Sequence, residues 1–347
     1  MIKIGLAGYG KIAQTVHLPL LLNMPQVRVV AIADPSPEAL RKVREVSAEI
    51  DLYRDAGEMM DISSPDAVIV SVPTGHHAAC AREVLSRGLA LYLEKPLASE
   101  LSEGRTLVEM KETSNSRSPA MVGYNFRRDP LIKKMKDAVS SGLIGRPLCL
   151  NSVKCVPQSS DSQWRTSRAA GGGVLLDLAS HHFDLWRFLT GEETDTVRAH
   201  LKSVRHDDDV ATLEATTSTG VVCHGHFSTV GAMAHRIEVY GELGGLAVDF
   251  IASNALEHTP GHAKHVRLRK LIRTVRGIPY LLKKRRAPWW TPSYQETLQE
   301  FVQAVSSGRE IQPNLEDGLR ALEVVAAAEE SARSRSPVRC APSHIEA

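Results

Sequence analysis

The sequence lacks the features that define several large classes of protein. Its five cysteines are scattered and show no Cys-x-x-Cys spacing, which argues against a disulfide framework and against the common zinc and redox motifs. It has no apolar run of about 18 residues and no secretory signal at its start, so neither a membrane-spanning nor a secreted protein is expected. A formal net charge of +2 gives no field that would favour nucleic acid. The sequence thus predicts a cytoplasmic protein that does not bind nucleic acid.

Clusters of residues with the spacing of metal ligands are equally sparse. Cys223, His224 and His226 form the one candidate cluster, in the stretch VCHGHF. Neighbouring side chains of a strand point to opposite faces, so the thiol and the imidazoles would not converge on one ion. No metal site is predicted.

The length of 347 residues is ordinary for two domains. Up to about residue 124, short apolar stretches alternate with helical ones, which predicts a doubly wound parallel sheet. Later candidate strands follow one another through short turns, interrupted by a helix at 174–190, which predicts an open, mostly antiparallel sheet. The expected α/β fold has a Rossmann domain at 1–123, a second α/β domain at 124–333 and a disordered Ser/Arg/Pro tail at 334–347.

The stretch GYGKIA directly follows the first apolar stretch and opens a helix. Gly8 permits a tight turn, Gly10 lets a pyrophosphate approach the backbone, and Ala13 allows the helix and strand to pack closely. Lys11 and Ile12 complete this loop. Unpaired N–H groups at the start of the helix favour an anion, so the loop is predicted to bind a dinucleotide.

The identity of the dinucleotide is indicated by Asp34, which closes the second apolar stretch where a ribose-binding acid is expected. A carboxylate accepts hydrogen bonds from a free ribose diol and repels a 2′-phosphate. Pro35 and Ser36 supply no arginine beside it, although Arg41 and Arg44 lie within reach in the sequence. NAD is therefore predicted in preference to NADP.

Lys95 belongs to the stretch Leu93-Glu94-Lys95-Pro96, at the carboxyl end of another predicted strand. Ligands of open α/β sheets bind outside these strand ends. A lysine there can anchor a substrate hydroxyl or help to move a proton. The spacing alone is equally compatible with a surface lysine.

The helix predicted at 174–190 carries two adjacent histidines. His182 falls within its apolar stripe, whereas Asp177, His181 and Asp184 share another face. Because Asp177 and His181 are four residues apart, their side chains can meet, and a carboxylate on one ring nitrogen leaves the other nitrogen to accept a proton. A solvated helix surface is the alternative, but this helix is apolar over most of its circumference. The pattern predicts that His181 moves a proton and that His182 serves packing.

Together these segments resemble the Gfo/Idh/MocA family of NAD(P)-dependent oxidoreductases, over about residues 1–330. The strongest matches are the Glu-Lys-Pro at 94–96 and the glycine run at 171–173 with the Asp and His that follow it. The weaker matches are His17 ahead of Leu18-Pro19, Pro73 with His77, and Trp164-Arg165.

The resemblance implies that the second domain carries substrate specificity and often an oligomer interface, so a homo-oligomer, a dimer or tetramer, is expected. It implies catalytic roles for Lys95 beside substrate and nicotinamide, for His181 as general acid/base, and for Asp177 as its partner or a substrate ligand. It also implies a cis peptide between Lys95 and Pro96. Where the family often has asparagine, this chain has Thr74, which bears on a contact near the cofactor ribose.

Motif and resemblance together assign two sets of binding residues. The cofactor set is Gly8, Gly10, Lys11, Ile12, Ala13, Asp34, Pro73, Thr74, His77, Glu94, Lys95 and Pro96. The substrate set is Lys95, Tyr124, Arg127, Trp164, Arg165, Asp177 and His181.

A basic segment at 262–286 departs from the family pattern, with ten Lys and Arg and no Asp or Glu. Leu268, Leu271, Ile272 and Val275 would share one helical face with arginines opposite. Such a helix can contact an anionic membrane surface, a partner or a phosphorylated substrate. We favour the simpler interpretation, in which the apolar face packs on the sheet and the charges are solvated.

The predicted function is NAD-dependent hydride transfer between nicotinamide and a secondary alcohol or ketone of a sugar, cyclitol or sugar derivative, including a nucleotide-linked one. Two alternatives remain, of which the first uses the same residues and the second does not need the catalytic ones. One is an NAD-requiring hydrolase or lyase that oxidises its substrate transiently, and it would turn over without net NADH formation. The other is a non-catalytic NAD-sensing protein, and it would show no NAD-linked activity.

Overall fold

The computed structural model describes residues 1–114, 116–157, 163–253, 255–261 and 292–340. The chain divides into two compact units. The first unit is Met1–Asn125 with Pro292–Leu319, and the second is Phe126–Thr291 with Arg320–Ala347.

The first unit is built on a six-stranded parallel sheet. Its strands are β1 (Ile2–Ala7), β2 (Val27–Ala33), β3 (Asp51–Tyr53), β4 (Ala67–Val70), β5 (Ala90–Leu93) and β6 (Ala120–Val122). Their order is β3-β2-β1-β4-β5-β6, and every neighbouring pair is parallel. The order reverses between β1 and β4, and ligands of such sheets bind at the carboxyl ends of the strands beside that reversal.

Helices cover the sheets of both units. They are α1 (Leu18–Leu22), α2 (Pro37–Val46), α3 (Ala56–Ser63), α4 (His77–Ser86), α5 (Leu101–Thr113), α6 (Pro130–Ser140), α7 (Ser180–Thr190), α8 (Pro292–Ser307) and α9 (Leu315–Ser334). Side chains cap the N-termini of several of these helices. Ser36 accepts a hydrogen bond from Ala39 N at 3.3 Å at the start of α2, and Asp129 accepts one from Leu131 N at 2.8 Å at the start of α6. Every residue of β4 and β5 is buried, as expected of inner parallel strands with both faces covered.

The first unit is discontinuous in the sequence, unlike the predicted domain at 1–123. Phe301 of α8 packs against Tyr92 of β5, with 5.6 Å between ring centroids. Val122 N donates to Pro313 O at 2.9 Å, which fastens the outer strand β6 to the returning chain. The segment 292–319 therefore belongs to the first unit, and the division falls within α9.

The second unit is built on an eight-stranded mixed sheet. Its strands are β7 (Pro147–Cys155), β8 (Thr194–Lys202), β9 (Val210–Thr217), β10 (Val222–Ser228), β11 (Ala234–Gly241), β12 (Gly244–Asp249), β13 (Glu257–Pro260) and β14 (Val338–Arg339). The order is β13-β12-β11-β7-β10-β9-β8-β14, with β7 and β10 parallel and the other pairs antiparallel. Trp186 of α7 is fully buried and its Nε1 donates to Ser152 Oγ of β7 at 2.8 Å, which fixes the helix on this sheet. The predicted α/β fold, a parallel sheet plus a mostly antiparallel one, is confirmed.

The end of the chain corrects the prediction of a disordered tail from residue 334. Val338 and Arg339 pair with β8, and Cys340 N donates to Asp195 O at 2.8 Å. The last seven residues lie outside the described residues, as does the whole basic segment at 262–286.

Within the described parts of the chain, no helix has both the length and the apolar character needed to cross a membrane.

Candidate functional site

The loop after β1 has the geometry that a dinucleotide requires. Gly8 has φ of +91°, and a Cβ there would lie 2.8 Å from the backbone of Ser71, so only glycine fits. At Gly10 nothing lies within 4 Å of the position that a Cβ would take, which leaves open space beside the start of the helix. Ala13 is fully buried against the sheet. These residues fit a bound pyrophosphate.

Asp34 is held at the end of β2 by its neighbours in the fold. Its Oδ2 accepts from Tyr9 N at 2.8 Å, which joins it to the glycine loop, and its Oδ1 accepts from Ser36 N at 2.8 Å. Each carboxylate oxygen keeps a second lone pair, which a ribose hydroxyl can use. The arrangement suits an adenosine ribose with free hydroxyls.

One cation close to Asp34 was missed by the sequence analysis. Arg54 Nη2 lies 3.4 Å from Pro35 O, one residue from Asp34. Arg44, which had been considered for this region, donates instead to Ala48 O and Ile50 O. Arg54 follows β3, a strand that was not predicted, so its proximity could not be inferred from spacing.

Lys95 is displayed by a segment that is otherwise buried. All residues at 90–98 are buried except Lys95, which is half-buried. The peptide between Lys95 and Pro96 is cis, as the resemblance implied. Lys95 is thus the one residue of this segment that is not buried, and it lies at the carboxyl end of β5, where a ligand of the sheet is expected.

Glu94 was predicted to contact the cofactor, but its carboxylate is committed within the chain. Glu94 Oε1 lies 2.9 Å from His17 Nε2, and both side chains are almost fully buried. Burial raises the pKa of Glu94, but the hydrogen bond with His17 and the charges of His17, Lys95 and His77 together outweigh burial, so the pKa lies below its usual value. Glu94 therefore holds its segment in place by its side chain.

His77, also predicted to bind the cofactor, likewise contacts its own chain. Its Nδ1 lies 2.7 Å from Pro96 O and its Nε2 lies 3.0 Å from Val72 O, and the residue is 2% exposed. Burial lowers the pKa of His77, and the carbonyl contacts and Glu94 oppose this only in part. Both ring nitrogens thus contact backbone carbonyls, at Pro96 and Val72, and the assignment of His77 to the cofactor stays a prediction.

The glycine run ahead of Asp177 is explained by a close backbone crossing. Gly171 and Gly173 have φ of +84° and +91°. A Cβ at Gly172 would lie 2.5 Å from the carbonyl oxygens of Trp164 and Arg165. The run therefore lets the Trp164-Arg165 turn pack directly on the start of the helix that carries Asp177.

Asp177 and His181 lie at the junction of a π-helical turn, Leu175–Ala179, with α7. They are 8% and 5% exposed, so the solvated helix surface considered above is excluded. Asp177 Oδ2 lies 3.9 Å from Nε of the exposed Arg165. The two predicted substrate ligands Arg165 and Asp177 are thus brought together.

Sequence reasoning missed the ring that stacks on His181 and the two rings that pack beside it. Phe126 stacks on His181 with 4.3 Å between centroids and 27° between planes. His235 and Phe250 stack on each other at 3.9 Å, and each lies 5.1 Å from Phe126. Lys154 Nζ lies 4.8 Å from the Phe126 centroid. The alternation of β7 places Lys154 on the buried face of the sheet, which is the signal that would have found it.

His182 faces the interior, as its position in the apolar stripe predicted. It is fully buried, and its Nε2 lies 3.2 Å from His235 Nε2. Burial lowers the pKa of His182 well below its usual value, and the charge of Lys154 acts in the same direction. His182 is therefore a neutral interior residue at neutral pH.

Asp184 and Arg127 are paired with each other. Arg127 Nη2 lies 2.6 Å from Asp184 Oδ1 and its Nε lies 2.9 Å from Oδ2, and both residues are buried. Tyr124, the other predicted substrate residue of this region, is 1% exposed. Both residues are therefore buried, and Arg127 holds Asp184; their assignment to the substrate stays a prediction.

Two family profiles match the chain. Residues 2–124 match the oxidoreductase family with an NAD-binding Rossmann fold, and residues 132–247 match the GFO/IDH/MocA C-terminal domain. Myo-inositol 2-dehydrogenase of Thermotoga maritima is 28% identical over 97% of this chain and 98% of its own length. Inositol 2-dehydrogenase of Rhizobium meliloti is 27% identical over 98% of this chain and 99% of its own length.

A solved structure has the same fold over nearly the whole chain. The WlbA dehydrogenase of Bordetella pertussis, in complex with NADH and UDP-GlcNAcA, superposes with a TM-score of 0.85 at 20% identity. The match covers 97% of this chain and 97% of that one. At this identity the likeness concerns the fold.

Proposed function

Because this chain belongs to the Gfo/Idh/MocA family of NAD-binding oxidoreductases, we propose that it oxidises a secondary hydroxyl of a sugar, cyclitol or sugar derivative, or reduces the matching ketone. The protein is an NAD-dependent dehydrogenase. The relatives named above act on inositol, so inositols are the first substrates to test. Nucleotide-linked sugars come second, because the WlbA structure holds one.

The observation that carries the proposal is the position of Lys95. Its half-buried ammonium lies at the carboxyl end of β5, on the sheet whose glycine loop and Asp34 fit NAD. Bound NAD supplies the hydride acceptor or donor, and the chain supplies position, charge and proton movement.

We assign the proton to His181. In oxidation, its imidazole accepts the hydroxyl proton while the Lys95 ammonium stabilises the developing alkoxide. Asp177 orients His181 or holds a neighbouring hydroxyl. The interior position of His181, stacked on Phe126, limits the orientations that the ring can take, which suits a group that must meet one hydroxyl.

The proposal extends to the assembly and location of the protein. We propose a cytoplasmic homo-oligomer, a dimer or tetramer, in which a sugar-like molecule is the partner. Sedimentation at several concentrations measures the assembly, and a monomer at all of them contradicts it.

A screen of the purified protein tests the function. NAD and NADP are each combined with inositols, other polyols and nucleotide sugars, and NADH fluorescence is followed together with thermal shift. We expect one polyol class to give NADH formation with NAD, and Lys95→Met to abolish it while NADH binding remains. Turnover of a substrate without net NADH, or no NAD-linked turnover on the whole panel, contradicts the proposal.

A further inference from the structure

Lys95 is held on both sides by its neighbours in sequence. Before it, Glu94 N donates to Val70 O at 2.9 Å and the Glu94 carboxylate contacts His17. After it, the carbonyl of Pro96 lies 2.7 Å from His77 Nδ1. The direction in which Lys95 leaves the sheet is therefore set by the two residues that flank it.

His77 joins this segment to a second loop. Its Nε2 lies 3.0 Å from Val72 O, at the carboxyl end of β4, immediately before Pro73 and Thr74. One buried ring thus spans two loops that follow adjacent parallel strands, β4 and β5. Both loops were assigned to the cofactor by motif, while the ring itself is buried and both of its nitrogens contact backbone carbonyls.

The chemistry of the two contacts is unequal. A carbonyl oxygen only accepts, so each contact is a hydrogen bond only when that ring nitrogen carries a proton. Burial lowers the pKa of His77, which leaves the neutral ring with a single proton at neutral pH. With the proton on Nδ1, the ring donates to Pro96 O across the shorter of the two contacts.

We propose that His77 is a positioning residue for Lys95: its Nδ1–H bond to Pro96 O fixes the Glu94-Lys95-Pro96 segment, and the Val72 contact is secondary. The proposal rests on the proposed function in one respect, since it takes Lys95 as the group that meets the substrate. It adds a role for a buried residue whose two ring nitrogens both contact the backbone.

Three substitutions separate the two contacts. The amide nitrogen of asparagine occupies the place of Nδ1, and that of glutamine occupies the place of Nε2. His77→Asn therefore keeps a donor for Pro96, His77→Gln keeps a donor for Val72, and His77→Leu keeps neither. His76→Gln is the matched control, because His76 is the exposed neighbour and lies outside the proposed site.

We expect the substitutions to lower the rate of the chemical step and to leave cofactor binding nearly unchanged. In His77→Gln and His77→Leu, kcat falls about 100-fold because a small displacement of a reacting group is enough to do this. KM for NAD changes far less, and the primary deuterium isotope effect rises because hydride transfer becomes limiting. His77→Asn restores kcat to within about threefold of the wild-type value, and His76→Gln leaves kcat unchanged. Equal kcat values in the Asn and Gln variants overturn the proposal.

Hydrogen exchange decides the question even if the enzyme proves inactive on every substrate tested. In the Gln and Leu variants, peptides that contain residues 94–98 should exchange faster than in the Asn variant and the wild type. Equal exchange of these peptides in all three variants overturns the positioning role of His77. Absence of NAD-linked turnover in the wild type contradicts the proposed function instead, so the two failures are distinct.

Discussion

Two adjacent residues, His181 and His182, occupy different surroundings in the second unit. His181 stacks on Phe126 at the edge of a cluster of rings, one turn of helix from Asp177. His182 points into the core and contacts His235 through Nε2. The change from a π-helical turn to α-helix just before them helps to set these directions.

The pair gives a prediction with its own matched control. His181→Asn should lower kcat by about 100- to 10,000-fold, the usual worth of a general acid/base, while NADH affinity is kept. His182→Asn should lower the thermal midpoint and leave kcat within a few-fold of wild type, because it removes packing and no reacting group. Steady-state kinetics and thermal unfolding of both variants check this. Loss of turnover in His182→Asn at an unchanged midpoint contradicts the assignment.

Asp34 is the residue that should decide between NAD and NADP. Asp34→Asn keeps a side-chain oxygen for one of its two backbone donors, Tyr9 N or Ser36 N, and removes the charge that repels a 2′-phosphate. Since hydrogen bonds to charged groups are worth about 1.5–3 kcal/mol, the ratio of kcat/KM for NAD to that for NADP should fall about 10- to 100-fold. The measurement is kcat/KM for both cofactors.

Arg54 provides the control for the gain in NADP use. Adding Arg54→Gln to Asp34→Asn should reverse the part of the gain that comes from a cation near Pro35. Asp51→Asn, which replaces an exposed acid on β3, should leave the ratio of kcat/KM for NAD to that for NADP unchanged. An unaltered cofactor ratio in Asp34→Asn would remove Asp34 from the ribose site.

At the scale of elements, the loop after β1 contains one glycine that the fold requires and another that the fold alone does not require. Gly8 has a left-handed φ and no room for a Cβ, whereas Gly10 has open space at the same position. The two glycines of one motif therefore differ in what they contribute.

Alanine substitutions should separate these contributions. Gly10→Ala should leave the thermal midpoint of the cofactor-free protein unchanged and weaken NADH binding, because the methyl group fills the space the pyrophosphate needs. Gly8→Ala should lower both the midpoint and NADH affinity, since the Cβ meets the backbone of Ser71. Thermal unfolding and NADH titration measure the two effects. Equal midpoints for the two variants would contradict the distinction.

Many elements of the fold could be predicted because local patterns determine them. Strands β1 and β2 are the first and second apolar stretches of the sequence analysis, and they could be predicted because each ends at a glycine turn or an acid. The helix at 174–190 was predicted from its 3.6-residue period. By contrast, β3 and β14 contain three and two residues, too few to show any period.

The site was predictable in part for the same reason. Gly8, Asp34, Lys95 and His181 belong to short motifs with their own chemistry. The partners of these residues come from distant parts of the chain: His17 meets Glu94, and Phe126 meets His181. Such contacts depend on which strands become neighbours, and no local spacing encodes that. The same limit explains why the pairing of Arg127 with Asp184 was not predicted.

At the scale of the whole molecule, buried neutral histidines should make stability depend on pH. Burial lowers the pKa of His182 well below its usual value, and lowers that of His77. An unfolded histidine titrates near about 6.5, so below that pH the unfolded chain binds protons that the folded chain does not. The free energy of unfolding should therefore be highest above this pH and should fall as the solution becomes more acidic.

Removal of one such histidine tests the source of this dependence. Between about pH 7 and about pH 5.5, His182→Asn should lose less unfolding free energy than the wild type loses. His200→Asn, which replaces an exposed histidine, should keep the wild-type slope. Urea unfolding at several pH values provides the measurement, and identical slopes in all three proteins would exclude His182 as a source.

The discontinuity of the first unit bears on how the protein is made. Phe301 and Pro313 complete the packing around β5 and β6, yet the ribosome adds them after the strands β7 to β13. A nascent chain that stops at residue 125 leaves Tyr92 and Val122 without these covering residues. The cofactor-binding sheet is therefore finished late in translation, because a chain truncated before residue 292 lacks both the ring that packs on Tyr92 and the carbonyl that pairs with Val122.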